Sequence, residues 1–520
     1  MKWIKRILVG IIASLLLIAL VDIGLNFWIA RELPHIINEN NDSPYNISYK
    51  DLDISLLNRN IKASEIIVVP KSSLDIKAGK PGLYAKIKSI EVNDFNIWDM
   101  VFSKKIHAKS LVVSKPEVTL LKTSEKALDN PKSITSQVVA PFSQIIYVSD
   151  VYLNNGQFKI NAIKNNISIL DVSNISIKLE GILITEKTLS QKLPFSFTTY
   201  SIDCDSVYYR PNGFYNMTLR KLQTTNTGLK FLTFNMRPNL SRKAFVKAVP
   251  NEKDLYTISA GSVAVNNINW GFKDEDFFFH SGNVQLNNVD ADIYRSKMPD
   301  DDLTKKKLYN RLLRDIKFEL KVDTLLLKNS RLVYEEEKDF SKGPGILTFN
   351  QFNMAVTGVA SGFKQTKMPD VKINIKCLFM NSAKLNVDWA FNVLDESDGF
   401  NIKGRIYNFP AEKLIPFTKP YINAEVKGDL DEVYFNFTGN DKNAKGDFAI
   451  NYDDLKVSIY KKNDRKKKNK VLTAIANLFV KKDTKDKVKN AEVELDRIQE
   501  KSFYNFLWRS VAEGLKKVLL

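Results

Sequence analysis

The sequence predicts a mainly β protein that is held in a membrane by one N-terminal helix. Three observations support this prediction: an apolar run near the start of the chain, two-residue alternation of apolar and polar side chains through its middle, and an amphipathic pattern at its end. At 520 residues the chain is too long for one ordinary compact core. We therefore expect either several domains or one elongated, repetitive domain.

The N-terminal segment has the features of a membrane anchor. Residues 7–30 are almost entirely apolar, and a helix of this length is about 36 Å long, enough to cross a bilayer. Lys2, Lys5 and Arg6 precede the run. The positive-inside rule then makes residues 1–31 a cytoplasmic tip with its anchor and places the rest of the chain across the membrane.

A cleaved signal peptide is the alternative interpretation of this segment. Cleavage after Ala30 requires a small residue three positions earlier, where the chain has Phe27. The sequence therefore favours a retained anchor, and both interpretations export the body of the protein.

The middle of the chain alternates as β-strands do. Residues 316–322, 371–379 and 433–437 place apolar side chains at every second position, which predicts strands with one apolar and one polar face. Residues 300–314 interrupt this pattern with charge, and they predict a short exposed helix or a loop between strands.

Weak internal repetition runs through residues 32–455, the predicted β domain. Residues 151–158 resemble residues 325–332 at an offset of 174 (325 − 151), and two further pairs of segments match in nearly the same register. A tandem repeat over residues 80–250 and 251–420 explains this, and chance matching among Asn-rich strands is the alternative. Repeated strands that bury only one face favour an extended, open sheet.

Positive charge is concentrated near the C-terminus. The formal net charge is +18, and residues 456–489 carry thirteen Lys or Arg against three Asp. The remainder of the chain is nearly balanced, so the sequence predicts no nucleic-acid partner. The charge run at residues 461–470 is typical of a solvated loop, and binding of anionic envelope polymers through residues 461–489 is the weaker alternative.

Residues 456–520 are predicted to contain a basic segment and short amphipathic C-terminal helices, the last of which ends the chain. Apolar side chains recur every four residues from position 503, and Trp508 widens the stripe. The helix can cap the open end of the sheet, or it can dock on a membrane or a partner protein. The candidate docking residues are Phe503, Leu507, Trp508, Val511 and Leu515.

The sequence contains no recognisable catalytic or metal-binding motif. His35, His107 and His280 are isolated from one another, and Cys204 and Cys377 have no neighbour at metal-ligand spacing. We expect two buried free thiols, no catalytic residue, no metal and no cofactor, and we predict that the protein is not an enzyme.

Five segments resemble the AsmA-like family of bacterial envelope proteins, in the form found in Bacteroidetes-type bacteria. The likeness covers both ends of the chain and its overall plan. The segments are residues 45–57, 409–414, 426–430, 446–455 and 501–515.

The resemblance implies a bridge-like lipid-transfer protein with a folded-over antiparallel sheet and an apolar groove. Such a protein is anchored in the inner membrane, has its bulk in the periplasm, carries phospholipid toward the outer membrane and so supports outer-membrane biogenesis. An outer-membrane or envelope protein at the C-terminus is a further expected partner. The predicted groove residues are Ile316, Phe318, Leu320, Val371, Ile373, Ile375, Val433, Phe435 and Phe437.

A non-enzymatic scaffold or assembly factor for outer-membrane proteins is the alternative function. In that case strand edges serve as docking sites. The two functions differ in the apolar face, since a lipid conduit needs it open and continuous, whereas a scaffold can fill it with its own side chains.

Overall fold

The computed structural model describes residues 45–55, 58–71, 81–96, 99, 105–123, 145–189, 195–273, 276–461, 464–470, 473, 484 and 487–519. The predicted anchor at residues 7–30 and part of the basic segment lie outside these described residues. Within them, no helix has both the length and the apolar character needed to cross a bilayer.

The described chain is mainly β, as predicted, and divides into two compact units. The first unit holds the chain up to Gly213 together with Met217–Asn226, and the second holds Phe214–Asn216 and everything from Thr227 onward. The strands up to the boundary are β1 (Tyr45–Ser48), β2 (Asp51–Ser55), β3 (Asn60–Pro70), β4 (Gly82–Asn93), β5 (Lys105–Lys122), β6 (Ile145–Ala162), β7 (Ile167–Ile184), β8 (Thr199–Asn212) and β9 (Tyr215–Thr225).

The second unit contains most of the helices that the structure describes. Its strands are β10 (Gly228–Pro238), β11 (Asp254–Lys273), β12 (Asp276–Ser296), β13 (Glu319–Glu337), β14 (Gly345–Ala360), β15 (Val371–Phe379), β16 (Ala383–Phe391), β17 (Phe400–Pro410), β18 (Ala424–Gly439), β19 (Asn443–Lys461), β20 (Asp464–Lys468) and β21 (Lys489–Asp496). The helices are α1 (Glu186–Leu189) in the first unit, then α2 (Arg242–Ala248), α3 (Tyr309–Arg314), a 3-10 turn (Ala411–Leu414), α4 (Ile415–Ile422) and α5 (Phe503–Leu519).

Most strands pair with the next strand in the sequence. Two of the described strand pairs are parallel, and the others are antiparallel. In the first unit β3 through β8 pair in order, and in the second unit β10 through β19 do so, with β21 beside β19. The pairs β5–β6 and β12–β13 are parallel. The predicted purely antiparallel sheet is therefore wrong, because each unit contains one parallel pair, which needs a long crossover connection instead of a hairpin.

The order of strand directions is the same in the two units. Segment β3–β8 and segment β10–β15 each contain two antiparallel pairs, then the parallel pair, then two more antiparallel pairs. These correspondences support a tandem duplication, which remains a prediction.

Residues with positive φ mark a line along which the strand ladders are interrupted, at equivalent places in the two segments, and we call each interruption a bulge. In the first unit they are Glu65, Lys115, Asn155 and Asn174, and in the second they are Thr233, Asn288, Asn329 and Gln351. The left-handed conformation costs most L-residues about 1–2 kcal/mol and costs Asn less, so the frequent asparagines here have a conformational reason. At such a position the alternation of faces shifts by one residue, and at Asn155, Asn174, Asn329 and Gln351 the register with a neighbouring strand shifts as well.

Candidate functional site

One face of the first unit's sheet is apolar in every strand from β3 to β8. We call it the apolar face. Each member of a row is the register partner of the next, so side chains within a row lie on the same side of the sheet. Its two central rows are Ile61, Val92, Leu111, Val151, Leu179 and Tyr200, and Ala63, Ile90, Val113, Leu153, Ile177 and Ile202.

The bulges keep this face apolar along the strands. At each bulge the apolar positions are three residues apart instead of two, as from Val113 to Pro116 around Lys115, and from Val172 to Ile175 around Asn174. The bulge shifts the alternation of faces by one position, so apolar residues at a strict spacing of two would point to the other face beyond it. The spacing of three compensates for this shift and keeps the apolar side chains on one face.

Every residue of the two central rows is half-buried, although each lies in the middle of a sheet. The only helix whose bounds are described in this unit is the four-residue α1. The buried clusters among the described residues of this unit are small, as in the group of Ala108, Val148 and Ile182. The described part of the unit is thus a single layer whose apolar face is incompletely covered.

The second unit has an apolar face as well, and we use the same name for it. One row begins at Leu229 in β10 and reaches Phe437 in β18 through unbroken register pairs. Burial increases along it: Leu229, Val265, Val284 and Leu325 are half-buried, whereas the last members are buried. The row is Leu229, Val265, Val284, Leu325, Val356, Ile373, Trp389, Ile402 and Phe437.

Helix α5 covers the apolar face over the last strands. The Phe503 ring stacks on Trp389 with centroids 4.5 Å apart and planes 6° from parallel, and Phe506 is buried beside Phe400. Gly514 permits this approach, since a Cβ there would lie 2.4 Å from the Phe448 ring. The largest core of the described residues therefore lies between α5 and the strands β16–β21.

The β12–β13 crossover supplies a second cover. Leu308 is 1% exposed, and the Tyr309 ring meets Trp389 edge-on at 5.0 Å. The Asn310 amide donates hydrogen bonds of 2.9 and 2.8 Å to the carbonyls of Asn392 and Gly399, and Arg314 pairs with Asp398. The charged segment 300–314 does contain a short helix. The prediction that it is exposed is wrong for the side that carries Leu308 and Asn310, because this side is buried against the last strands.

The predicted groove residues divide into three groups. Ile316 and Phe318 precede β13 and so are not strand residues, although the Phe318 ring lies 5.4 Å from Phe277. Leu320 pairs with Phe279 near one end of the apolar face. Ile375 lies on this face and is half-buried.

The remaining five lie on the predicted face but under the helices. Val371, Phe435 and Phe437 are buried in the core, and Ile373 and Val433 pack against it. The interpretation that these five border an open groove needs correction, because α3 and α5 occupy the space above them.

The predicted docking residues need a similar correction. Phe503, Leu507, Val511 and Leu515 pack into the protein's own core, so the capping role of the helix fits their contacts. Trp508 differs, since it is 52% exposed and its ring centroid lies 6.3 Å from that of Phe417 on α4.

Cys204 and Cys377 are free and buried, as predicted. They occupy equivalent positions in β8 and β15, two residues beyond Ile202 and Ile375, whose register partners belong to matching rows. Burial raises the pKa of the Cys204 thiol and raises that of Cys377 to about 12. Neither thiol is therefore activated as a nucleophile or as a metal ligand.

The described histidines also occupy equivalent positions. Nδ1 of His107 lies 2.8 Å from a carboxylate oxygen of Asp99, and Nε2 of His280 lies 2.8 Å from one of Glu319. In the part of the chain that the structure describes, no three His, Cys, Asp or Glu side chains are grouped to hold a metal ion. The absence of enzymatic activity stays a prediction.

No protein-family model matches this chain, and no curated protein matches it at a significant level. The resemblance to the AsmA-like family therefore stays a resemblance of short segments.

The sequence predicted the apolar face in the second unit but omitted β3–β8, over which the described residues place no long helix. None of the predicted groove residues lies in β3–β8, because bulges break the two-residue alternation there into short runs. The missed signal is a pattern of spacings of two, two and three, such as Leu179, Ile177, Ile175 and Val172 in β7.

Proposed function

We propose that the protein binds lipid acyl chains along the apolar face and carries phospholipid between the inner and outer membranes. The observation that carries the proposal is the pair of half-buried rows that cross β3–β8 without a described helix over them. Each methylene that moves from water onto such a surface contributes about 0.8 kcal/mol to the free energy of binding. An acyl chain of ordinary length therefore binds favourably to the apolar face.

Charge placement supports the same function. The central rows contain no charged residue, whereas neighbouring positions on the other face hold Lys62, Glu91 and Lys178. A surface that is apolar across six strands suits a ligand that is apolar along its whole length. The predicted anchor at residues 7–30 would hold the face beside the membrane that supplies the lipid.

A scaffold for outer-membrane proteins is the second candidate, and the closed core of the last strands favours it for that region. There the protein fills the apolar face with its own Phe503 and Phe506. The two candidates make different predictions for β3–β8 only.

A photo-crosslinking amino acid placed at Val113 or Val112 in cells distinguishes them. The two positions are adjacent in β5, both are half-buried, and they point to opposite faces. We expect position 113 to crosslink to phospholipid and position 112 not to do so.

The functional arm uses the substitutions Val113→Asp and Val112→Asp in the full chain. We expect the first to lower the copurifying phospholipid per protein several-fold while the fold survives, and the second to leave it unchanged. Crosslinks from position 113 to protein alone, with no lipid, would support the scaffold and contradict lipid carriage.

A further inference from the structure

A polar cavity of about 280 Å³ lies at the bulge line of the first unit, on the face opposite the apolar rows. Lys62 neighbours Ile61 and Ala63 of those rows, and alternation therefore points it to the other side. We call this cavity the lysine pocket. It is lined by Lys62, Lys88, Ser89, Ser114, Lys115, Asn154 and Asn155.

The bulge creates the cavity. The register between β5 and β6 passes from Ser114–Asn154 directly to Glu117–Gln157, and Lys115 and Asn155 between them have φ of 47° and 54°. The strands bend where the ladder is interrupted, which leaves a depression on the polar face.

The pocket holds two lysines without a carboxylate partner among the described residues. Lys88 and Lys115 are cross-strand neighbours, since they lie between the pairs Ser89–Ser114 and Ile87–Pro116. Like charges opposed in this way destabilise a sheet. Lys62 is the one lysine here with a partner, Glu91 at 2.6 Å.

The fold does not require these lysines. At the equivalent bulge of the second unit, Gly261 stands where Lys88 does, and Asn288 where Lys115 does. An adjacent lysine pair that the bulge itself does not need indicates a role in binding a counter-charge.

We propose that the lysine pocket binds a phosphate group. The two unpaired ammonium groups supply charge, and the Ser89 and Ser114 hydroxyls and the Asn154 and Asn155 amides can donate hydrogen bonds to its oxygens. The cavity is large enough for one phosphoryl group with a small substituent. The phosphate belongs either to a lipid headgroup or to a free ion, and the site does not depend on lipid binding at the apolar face.

The test is calorimetric titration of the full chain with inorganic phosphate at constant ionic strength. The double variant K88G/K115N copies the second unit at both positions, and K86N/K105N removes two exposed lysines outside the pocket. We expect saturable binding that is weakened about tenfold or more in K88G/K115N, since two charge-assisted contacts are lost. The control should bind as the unaltered protein does.

Deacylated phosphatidylglycerol headgroup distinguishes the two sources of phosphate. Displacement of inorganic phosphate by the headgroup indicates a lipid, and binding of inorganic phosphate alone indicates the free ion. Absence of saturable binding, or an equal loss in K86N/K105N, overturns the proposal. If K88G/K115N fails to fold, the single variant K115N carries the test, because Asn tolerates the positive φ at this position.

Discussion

The apolar face is built alike in β3–β8 and in β15–β19, but among the described residues only the second region has helices packed over it. Both regions have unbroken rows of apolar register partners. In the first region the rows are half-buried, whereas in the second Phe437 is 1% exposed and Phe448 fully buried. This difference shows that the apolar–polar alternation along each strand determines which face is apolar. Helices from other parts of the chain determine whether that face is accessible.

The largest expected effect comes from a charge in the covered region. Phe437→Asp places a carboxylate among the apolar side chains of the core and also leaves a cavity, and we expect a loss of about 5 kcal/mol in the free energy of unfolding. Urea unfolding of the full chain measures this. Thr438→Asp, at the adjacent exposed position, should change stability by no more than about 0.5 kcal/mol.

If Phe437→Asp folds as stably as the unaltered protein, the core under α5 is open to water. The two regions would then not differ in how well their apolar faces are shielded from water.

A somewhat smaller effect is expected from the cap itself. Phe503→Ala removes the ring that stacks on Trp389, and we expect a cost of about 3 kcal/mol together with easier proteolysis of the C-terminal helix. Trp508→Ala is the matched control on the same helix, because Trp508 is 52% exposed. Its cost should stay below about 1 kcal/mol.

Equal costs for Phe503→Ala and Trp508→Ala would contradict the assignment of α5 as the cover of the apolar face. Limited proteolysis separates loss of the cap from general unfolding, since the first unit should resist cleavage in both variants.

The smallest effect concerns the equivalent cysteines. Burial raises the pKa of Cys377 from its ordinary value of 9.0 to about 12, so its thiol is almost entirely protonated near neutral pH. The two thiols are about equally buried, with 5% of Cys204 and 6% of Cys377 exposed. We expect Cys204 to react with iodoacetamide faster in the folded protein, because the half-buried rows beside it should open locally more easily. Peptide mass spectrometry measures both rates, and urea should make them equal.

The same raised pKa makes the fold sensitive to alkaline pH. The folded state holds the proton of Cys377 more tightly than the unfolded state does, so its contribution to stability is fully present below pH 9 and is lost as the pH rises toward 12. The variant Cys377→Ala should lose this part of the pH dependence.

A slower reaction of Cys204 than of Cys377 with iodoacetamide would contradict the expected order of the two rates.

Much of the fold could be predicted from local patterns. The strands around Val371 and Phe435 and the C-terminal helix follow from period-two and period-four spacing, and the structure confirms them. The purely antiparallel pairing could not be tested this way, because a strand's own sequence does not specify the direction of its neighbour. The parallel pairs β5–β6 and β12–β13 arise from crossovers.

The sequence predicted which side of the strands is apolar, but not which part of that side is accessible. Alternation assigned Ile373 and Phe437 correctly to one side of the sheet. It could not show that Leu308 and Phe503 lie over that side, since these residues are respectively 129 (437 − 308) and 66 (503 − 437) positions from Phe437. It also passed over β3–β8, where bulges at residues such as Asn155 shift the spacing.

The sequence by itself determined the β character, the apolar face within each strand run, the two free thiols and the amphipathic end of the chain, because side-chain alternation and helical period are local properties. Only the tertiary structure decided which rows join across strands, how bulges keep them on one side, and which part of the face Leu308, Phe503 and Phe506 cover. Coverage depends on contacts between residues far apart in the chain, and each such contact is set by packing geometry that no local pattern contains.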